Sequence, residues 1–178
     1  MYKRQGLDRV PVIFNGVNLH RCIPKRSYGL GDTVSLLHIG RFDEQKNHAG
    51  LLQAFAKLLK THPNCCLNLL GDGHLRTEME KYARELGIGH AVHFLGNQAD
   101  VHPYLHDADM FLLPSKYEGM PMTIIEAMGT GLPIVASRVG GVPDMLRDGE
   151  SGLLTGCDPD EVCAACERPV SYTHLTLP

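Results

Sequence analysis

Short, nearly continuous apolar runs alternate with amphipathic segments through most of this chain, and that alternation is what most narrows its fold. The runs are Val34 to Ile39, Cys65 to Leu70, Ala91 to Leu95, Met110 to Leu113, Ile134 to Ala136 and Gly152 to Leu154. Strands that lack a clean in-out alternation are covered on both faces, as in a parallel sheet flanked by helices. Between them, Asn47 to Thr61 carries Leu51, Leu52, Phe55, Leu58 and Leu59 at helical spacing, and Pro63 stops the pattern. His74 to Leu86 repeats the pattern with Leu75, Met79, Tyr82 and Leu86, and Gly87 follows as a C-cap. Pro121 to Met128, Val142 to Leu146 and Asp158 to Cys166 complete the helices, the last with Asp158 as N-cap and Pro159 at its first position. The fold class that follows is α/β, a Rossmann-like doubly wound parallel sheet.

A chain of 178 residues suits one such core. That core is expected over residues 10–167, with Val10 to Phe14 as a further candidate strand. Residues 1–9 read as a linker remnant, and 168–178 as an aberrant or truncated tail in which a proline-bounded, β-branched segment replaces a helix. The net charge of -3 gives no electrostatic reason to expect nucleic acid or an anionic membrane as partner. No apolar run approaches the roughly 20 residues of a membrane span, so a cytoplasmic location is expected. The six cysteines have no disulfide-framework spacing and are expected to be reduced. Cys163 and Cys166 have metal-pair spacing, but they lie in a helical stretch with no second pair, and no histidine cluster completes a site. Neither metal nor cofactor is expected.

The residues that could carry chemistry fall in loops between a strand and the helix after it. In the stretch Leu112 to Met128 a strand ends, Glu118-Gly119 forms a turn, and a helix opens at Pro121. The amides near Met122 and Thr123 then have no partner inside the helix and suit a phosphate. Glu118 and Glu126, with seven residues between them, are too far apart for a tight catalytic pair. Each could accept hydroxyl hydrogen bonds from a different part of one extended ligand. Taken singly they would be ordinary surface carboxylates. The loop Gly40-Arg41-Phe42-Asp43-Glu44-Gln45-Lys46-Asn47 supplies cations at the ligand-binding edge of such a sheet. A guanidinium fork and a flexible ammonium suit a diphosphate, at roughly 1.5 to 3 kcal/mol for each charged hydrogen bond. Gly71-Asp72-Gly73 forms a third loop, where missing side chains would let a ligand approach the backbone. It lacks the spacing of a dinucleotide fingerprint, which weighs against a dehydrogenase. Asn97 and Gln98 suit a polar turn better than a base contact.

With these residues in view, the sequence resembles the group 1 glycosyltransferases of the GT-B fold, which transfer a sugar from a nucleotide diphosphate with retention at the anomeric carbon. The resemblance runs from Asn15-Gly16-Val17-Asn18 through Gly40-Arg41, Lys46-Asn47, Gly71, Gly73, Phe94-Leu95-Gly96 and Glu118 to Glu126. It continues to Gly131 to Ser137, Gly140-Gly141 and Gly149 to Gly152. It lies wholly in that family's C-terminal, donor-binding half. The resemblance implies that Gly40, Gly71 and Gly73 border a donor site for a UDP-, GDP- or ADP-sugar. It further implies that Arg41 and Lys46 hold the diphosphate and stabilise its departure, Glu126 binds the ribose, and Glu118 faces the transferred sugar. The amides of Gly119, Met120, Met122 and Thr123 would cradle the sugar and the distal phosphate. An N-terminal acceptor domain is expected as the missing partner, and the isolated chain is expected to bind donor weakly and transfer little. Two other readings are a nucleotide-sugar epimerase half, which would need acid and base groups not evident here, and a non-catalytic nucleotide-binding module.

Overall fold

A computed structural model describes residues 16–18, 20–24 and 32–171. The candidate strand over Val10 to Phe14 lies outside these described residues. Among the described residues six parallel strands form one sheet: β1 (Val34–Ile39), β2 (Cys65–Leu70), β3 (Val92–Gly96), β4 (Met110–Leu113), β5 (Ile134–Ser137) and β6 (Leu153–Thr155). The helices are α1 (His48–Thr61), α2 (Arg76–Glu85), α3 (His102–Asp107), α4 (Met122–Gly129), α5 (Val142–Met145) and α6 (Pro159–Ser171). The spatial order β3-β2-β1-β4-β5-β6 is the doubly wound order, reversing direction between β1 and β4.

The apolar runs explain why the sheet is covered twice. Along each strand successive side chains point to opposite faces. Leu36, Leu69, Met110, Leu112 and Val135 accordingly join one core with α1, α2 and α6, through residues such as Leu51, Phe55, Met79 and Val162. Their neighbours Leu37, Leu70, Phe111, Leu113 and Ile134 join a second core with α3, α4 and α5, through Leu105, Ile124 and Val142. Burying each such side chain is worth about 1.5–3 kcal/mol, and a polar residue in either register would forfeit that on its face.

The predicted helix ends hold at two places. Asp158 accepts the Asp160 amide at 2.8 Å ahead of Pro159, the expected N-cap. Bonds from Gly87 to the Arg84 carbonyl and from Ile88 to the Ala83 carbonyl close α2 as a Schellman motif. One helix goes beyond the sequence reading and one runs past its expected end. Helix α3 was not foreseen, because six residues with Pro103 in the first turn give too little periodicity to register. Helix α6 runs on to Ser171, into the segment set aside as a tail. Cys163 and Cys166 pack in the core against α1, and all six cysteines are free thiols.

Candidate functional site

Parallel strands carry all their C-terminal ends to one edge, and the order reverses between β1 and β4, the place where sheets of this kind generally form a ligand crevice. The three predicted loops meet at this edge. The Phe42 amide donates to the Asp72 carbonyl at 3.0 Å, and the Lys116 amide donates to the Gln45 carbonyl at 2.8 Å. Gln45 also bonds the Tyr117 carbonyl through its side chain at 3.0 Å. Asn47 holds a left-handed backbone at φ 55, which asparagine tolerates better than most side chains. Its amide reaches the carbonyls of Pro114 at 3.1 Å and Cys157 at 3.3 Å. Asn47 thereby ties the loops after β1, β4 and β6 together.

Lys46 and Glu118, assigned from sequence to different parts of a ligand, touch each other. Lys46 Nζ lies 2.6 Å from Glu118 Oε1, and their side chains are only 16% and 6% exposed. Arg41 is placed differently. Its side chain is 73% exposed and its Nε donates to Asp43 Oδ2 at 2.7 Å. Asp43 also accepts the Lys46 amide through Oδ1 at 3.2 Å, and the hydrogen bonds with Arg41 and Lys46 hold its carboxyl below the usual range against the opposing effect of its own burial.

Helix α4 opens after Pro121, whose extended backbone forms the N-cap without a side-chain bond. The amides of Met122 and Thr123 belong to its first turn, where no intrahelical acceptor exists. Just before them, Glu118, Gly119 and Met120 form the turn beside the crevice. Glu126 sits one turn into α4 and half-buried. Burial raises its pKa, partly offset by His102 and Arg21 and reinforced by Asp100. Arg21, Asp100 and His102 line a cleft of about 220 Å³ next to it. A larger cleft, about 500 Å³, flanks β3 between Arg84 and His90, away from the strand ends that carry the loops.

The glycines act on protein backbone rather than on empty space. A Cβ on Gly71 would stand 2.1 Å from the Gly40 carbonyl oxygen, and one on Gly73 would stand 2.4 Å from that of Phe42. The missing side chains that suggested a ligand against the third loop thus let the β1 and β2 loops close on each other. Gly140 and Gly141 do the same for the β4 loop, since a Cβ on Gly140 would lie 1.7 Å from the Glu118 carbonyl oxygen. The Gly141 amide donates to the Gly119 carbonyl at 3.0 Å. Sequence reasoning gave this pair no structural task; the signal was two adjacent glycines after β5. Gln98, considered near a base, bonds its own Leu95 carbonyl at 2.7 Å.

Comparison with known proteins gives the family and the fold. The model of the family described as glycosyl transferases group 1 matches residues 25–167. The chain is 37% identical over 145 residues to the lipopolysaccharide core biosynthesis glycosyltransferase LpsE of Rhizobium meliloti, covering 81% of this chain and 42% of that protein. Among solved structures, Anabaena HepE in complex with UDP superposes with a TM-score of 0.82 at 24% identity, covering 90% of this chain and 48% of the other. The C-terminal domain of a group 1 glycosyl transferase, LpcC of Francisella tularensis, superposes with a TM-score of 0.80 at 19% identity, covering 89% of each chain. The chain thus spans roughly two fifths of the length of its curated relative, 42% for LpsE. No helix among the described residues is long and apolar enough to cross a membrane.

Proposed function

The chain belongs to the group 1 glycosyl transferases, and from that premise we propose that it holds the nucleotide-diphosphate sugar in a retaining hexosyl transfer. The observation that carries this reading is the meeting of the β1 and β4 loops where the strand order reverses, with the Lys46 ammonium held against Glu118 just ahead of the opening turn of α4. Breaking the anomeric bond builds negative charge on the departing diphosphate. Fixed cations and unpaired helix amides act most strongly on charge that develops there. Lys46 and Arg41 take the diphosphate, the amides of Gly119, Met120, Met122 and Thr123 take the distal phosphate and sugar, and Gly40, Gly71 and Gly73 shape the floor. Glu118 faces the sugar. Glu126, kept half-buried beside Arg21 and His102, accepts the ribose hydroxyls.

Within this reading the Lys46–Glu118 pair is the resting arrangement of the site. A diphosphate arriving at Lys46 replaces one anionic partner by another of higher charge and leaves the carboxylate of Glu118 for the sugar hydroxyls. The acceptor is held by a further domain of the parent protein, and the products are polysaccharide or glycolipid. HepE has been solved with UDP, so UDP is the first probe, with GDP and ADP beside it. Calorimetric titration of the purified chain should show saturable binding of at least one of the three. Lys46→Ala should weaken it severely, whereas Lys81→Ala, on the exposed flank of α2, should leave it unchanged. Equal losses from the two substitutions would remove the site from this crevice.

A further inference from the structure

Backbone pairing between β1 and β4 is short: Leu36 faces Met110, Leu37 faces Phe111, and the register ends there. The next link between the two strands is a side chain. His38 is 0% exposed, and its Nδ1 lies 2.8 Å from the Leu112 carbonyl oxygen. A carbonyl only accepts, so Nδ1 carries the proton, and in a neutral ring Nε2 is left as an acceptor. Burial keeps the ring neutral, drawing its pKa down to about 4.

Nε2 points toward Gly40 and Lys46. The position a Cβ on Gly40 would occupy is 2.8 Å from His38 Nε2 and 3.1 Å from both Cγ and Cδ of Lys46. The bare glycine lets the imidazole and the lysine stem close around one spot. Behind His38, the His48 ring meets it edge-on at 4.8 Å and stacks on Phe42 at 3.9 Å. The imidazole is therefore backed by the His48 ring and held at Nδ1 by the Leu112 carbonyl. Its Nε2 faces the spot that Gly40 leaves bare beside the lysine stem.

We propose that His38 is a positioning residue for Lys46: tied to the Leu112 carbonyl where the β1–β4 ladder stops, it seats the lysine stem so that the ammonium meets Glu118 across the crevice. Phenylalanine would fill the same volume but release Leu112 and unlock the seat. Asparagine offers an N–H donor at nearly the reach of Nδ1. The seat itself is a property of the ligand-free chain; its consequence for nucleotide binding rests on the donor-site reading above.

The test uses the 178-residue chain and its variants His38→Asn, His38→Phe, Lys46→Ala and His38→Phe/Lys46→Ala. Nitrogen-15 NMR of lysine side chains reports the seat without ligand. A protected Lys46 ammonium resonance is expected in the native chain and in His38→Asn, and its loss to solvent exchange in His38→Phe. UDP titration reports the consequence. His38→Phe should weaken binding about tenfold and His38→Asn by no more than about threefold, the scale of one neutral hydrogen bond. Because His38 acts through Lys46, adding His38→Phe to Lys46→Ala should change nothing further. A Lys46 resonance untouched by His38→Phe overturns the proposal, as do additive losses in the double variant. Should His38→Phe fail to fold, loss of the resonance in folded His38→Asn overturns it instead. If no form binds UDP, GDP or ADP, the donor-site reading falls and the ammonium resonance alone decides the role of His38.

Discussion

The ammonium of Lys46 stands 2.6 Å from a carboxylate oxygen of Glu118 and so joins the loop after β1 to the loop after β4. With 16% and 6% of their side chains exposed, both ions have given up most of their water. Such a pair offsets its desolvation only while both partners are present, so each ion depends on the other.

Removing either partner strands the other. Lys46→Met and Glu118→Gln should each lower unfolding free energy by about 3 kcal/mol, and the double variant should lose clearly less than the sum. Toward UDP the two should diverge. Lys46→Met weakens binding, whereas Glu118→Gln frees the ammonium and strengthens it or leaves it alone. Urea denaturation of the four forms and calorimetry with UDP check both halves, and additive stabilities would mean that the 2.6 Å contact carries no coupling.

Gly140 sets where Glu118 sits. Its φ is +53, and an added Cβ would lie 1.7 Å from the Glu118 carbonyl oxygen. At Gly149 φ is +78 but the space is open, so Gly149→Ala costs about 1 kcal/mol, the backbone contribution alone. Gly140→Ala adds a clash with main chain and should cost about 3 kcal/mol or more while reducing UDP affinity. Equal melting temperatures for the two variants would count against the close approach.

The buried histidines give the fold a specific acid response. Burial depresses the pKa of His38 to about 4 and that of His48 to about 2, the latter helped by its neighbours His38 and Lys46. Each ring binds its proton more readily in the unfolded chain. Stability is therefore full above the ordinary histidine range and falls as pH drops from about 6.5 toward 4, by roughly 1 kcal/mol per pH unit for each ring. Glu126 works in the opposite sense in part of that window, because its pKa is raised. Asp100, lowered to about 2 by hydrogen bonds from His102, adds its own loss only below about pH 4. Urea unfolding at pH 7, 6, 5 and 4.5 should show the decline, and His48→Phe should remove about one proton from its slope. A slope unchanged by that substitution would place the response elsewhere.

What could be read from the chain divides along the range of the interactions. The strands were legible because central parallel strands bury both faces, so Val34–Ile39 and Cys65–Leu70 announce themselves without tertiary context. The placing of Lys46 and Glu118 in strand-to-helix loops at one sheet edge, and of Glu126 in the helix that follows, was legible because such loops are where these sheets expose chemistry. Their arrangement was not. Lys46 and Glu118 are 72 positions apart, and no local pattern says that they meet. Gly71 and Gly73 advertised an open backbone, but which backbone fills the space depends on how the β1 loop folds over them. His38 and His48 were invisible for the same reason, since one lies on a strand and the other on the next helix. Helix α3 was too short, and too interrupted by Pro103, for periodicity to register.

Arg41 separates stability from binding in one side chain. It is 73% exposed and paired to Asp43 at 2.7 Å, a surface contact of the kind worth 0–1 kcal/mol, so Arg41→Ala should shift stability by no more than about 0.5 kcal/mol. Asp43 is the structural partner: through Oδ1 it also accepts the Lys46 amide, and Asp43→Ala should cost about 1–2 kcal/mol by releasing that turn. Toward UDP the order reverses. A guanidinium released from Asp43 to the diphosphate contributes charged hydrogen bonds, so Arg41→Ala should weaken binding by at least about tenfold. Arg41→Lys should recover only part of it, because an ammonium keeps the charge but not the fork. Paired calorimetric and denaturation measurements on the three variants decide the matter: a stability loss from Arg41→Ala as large as that from Asp43→Ala, with UDP binding intact, would return Arg41 to the role of a turn residue.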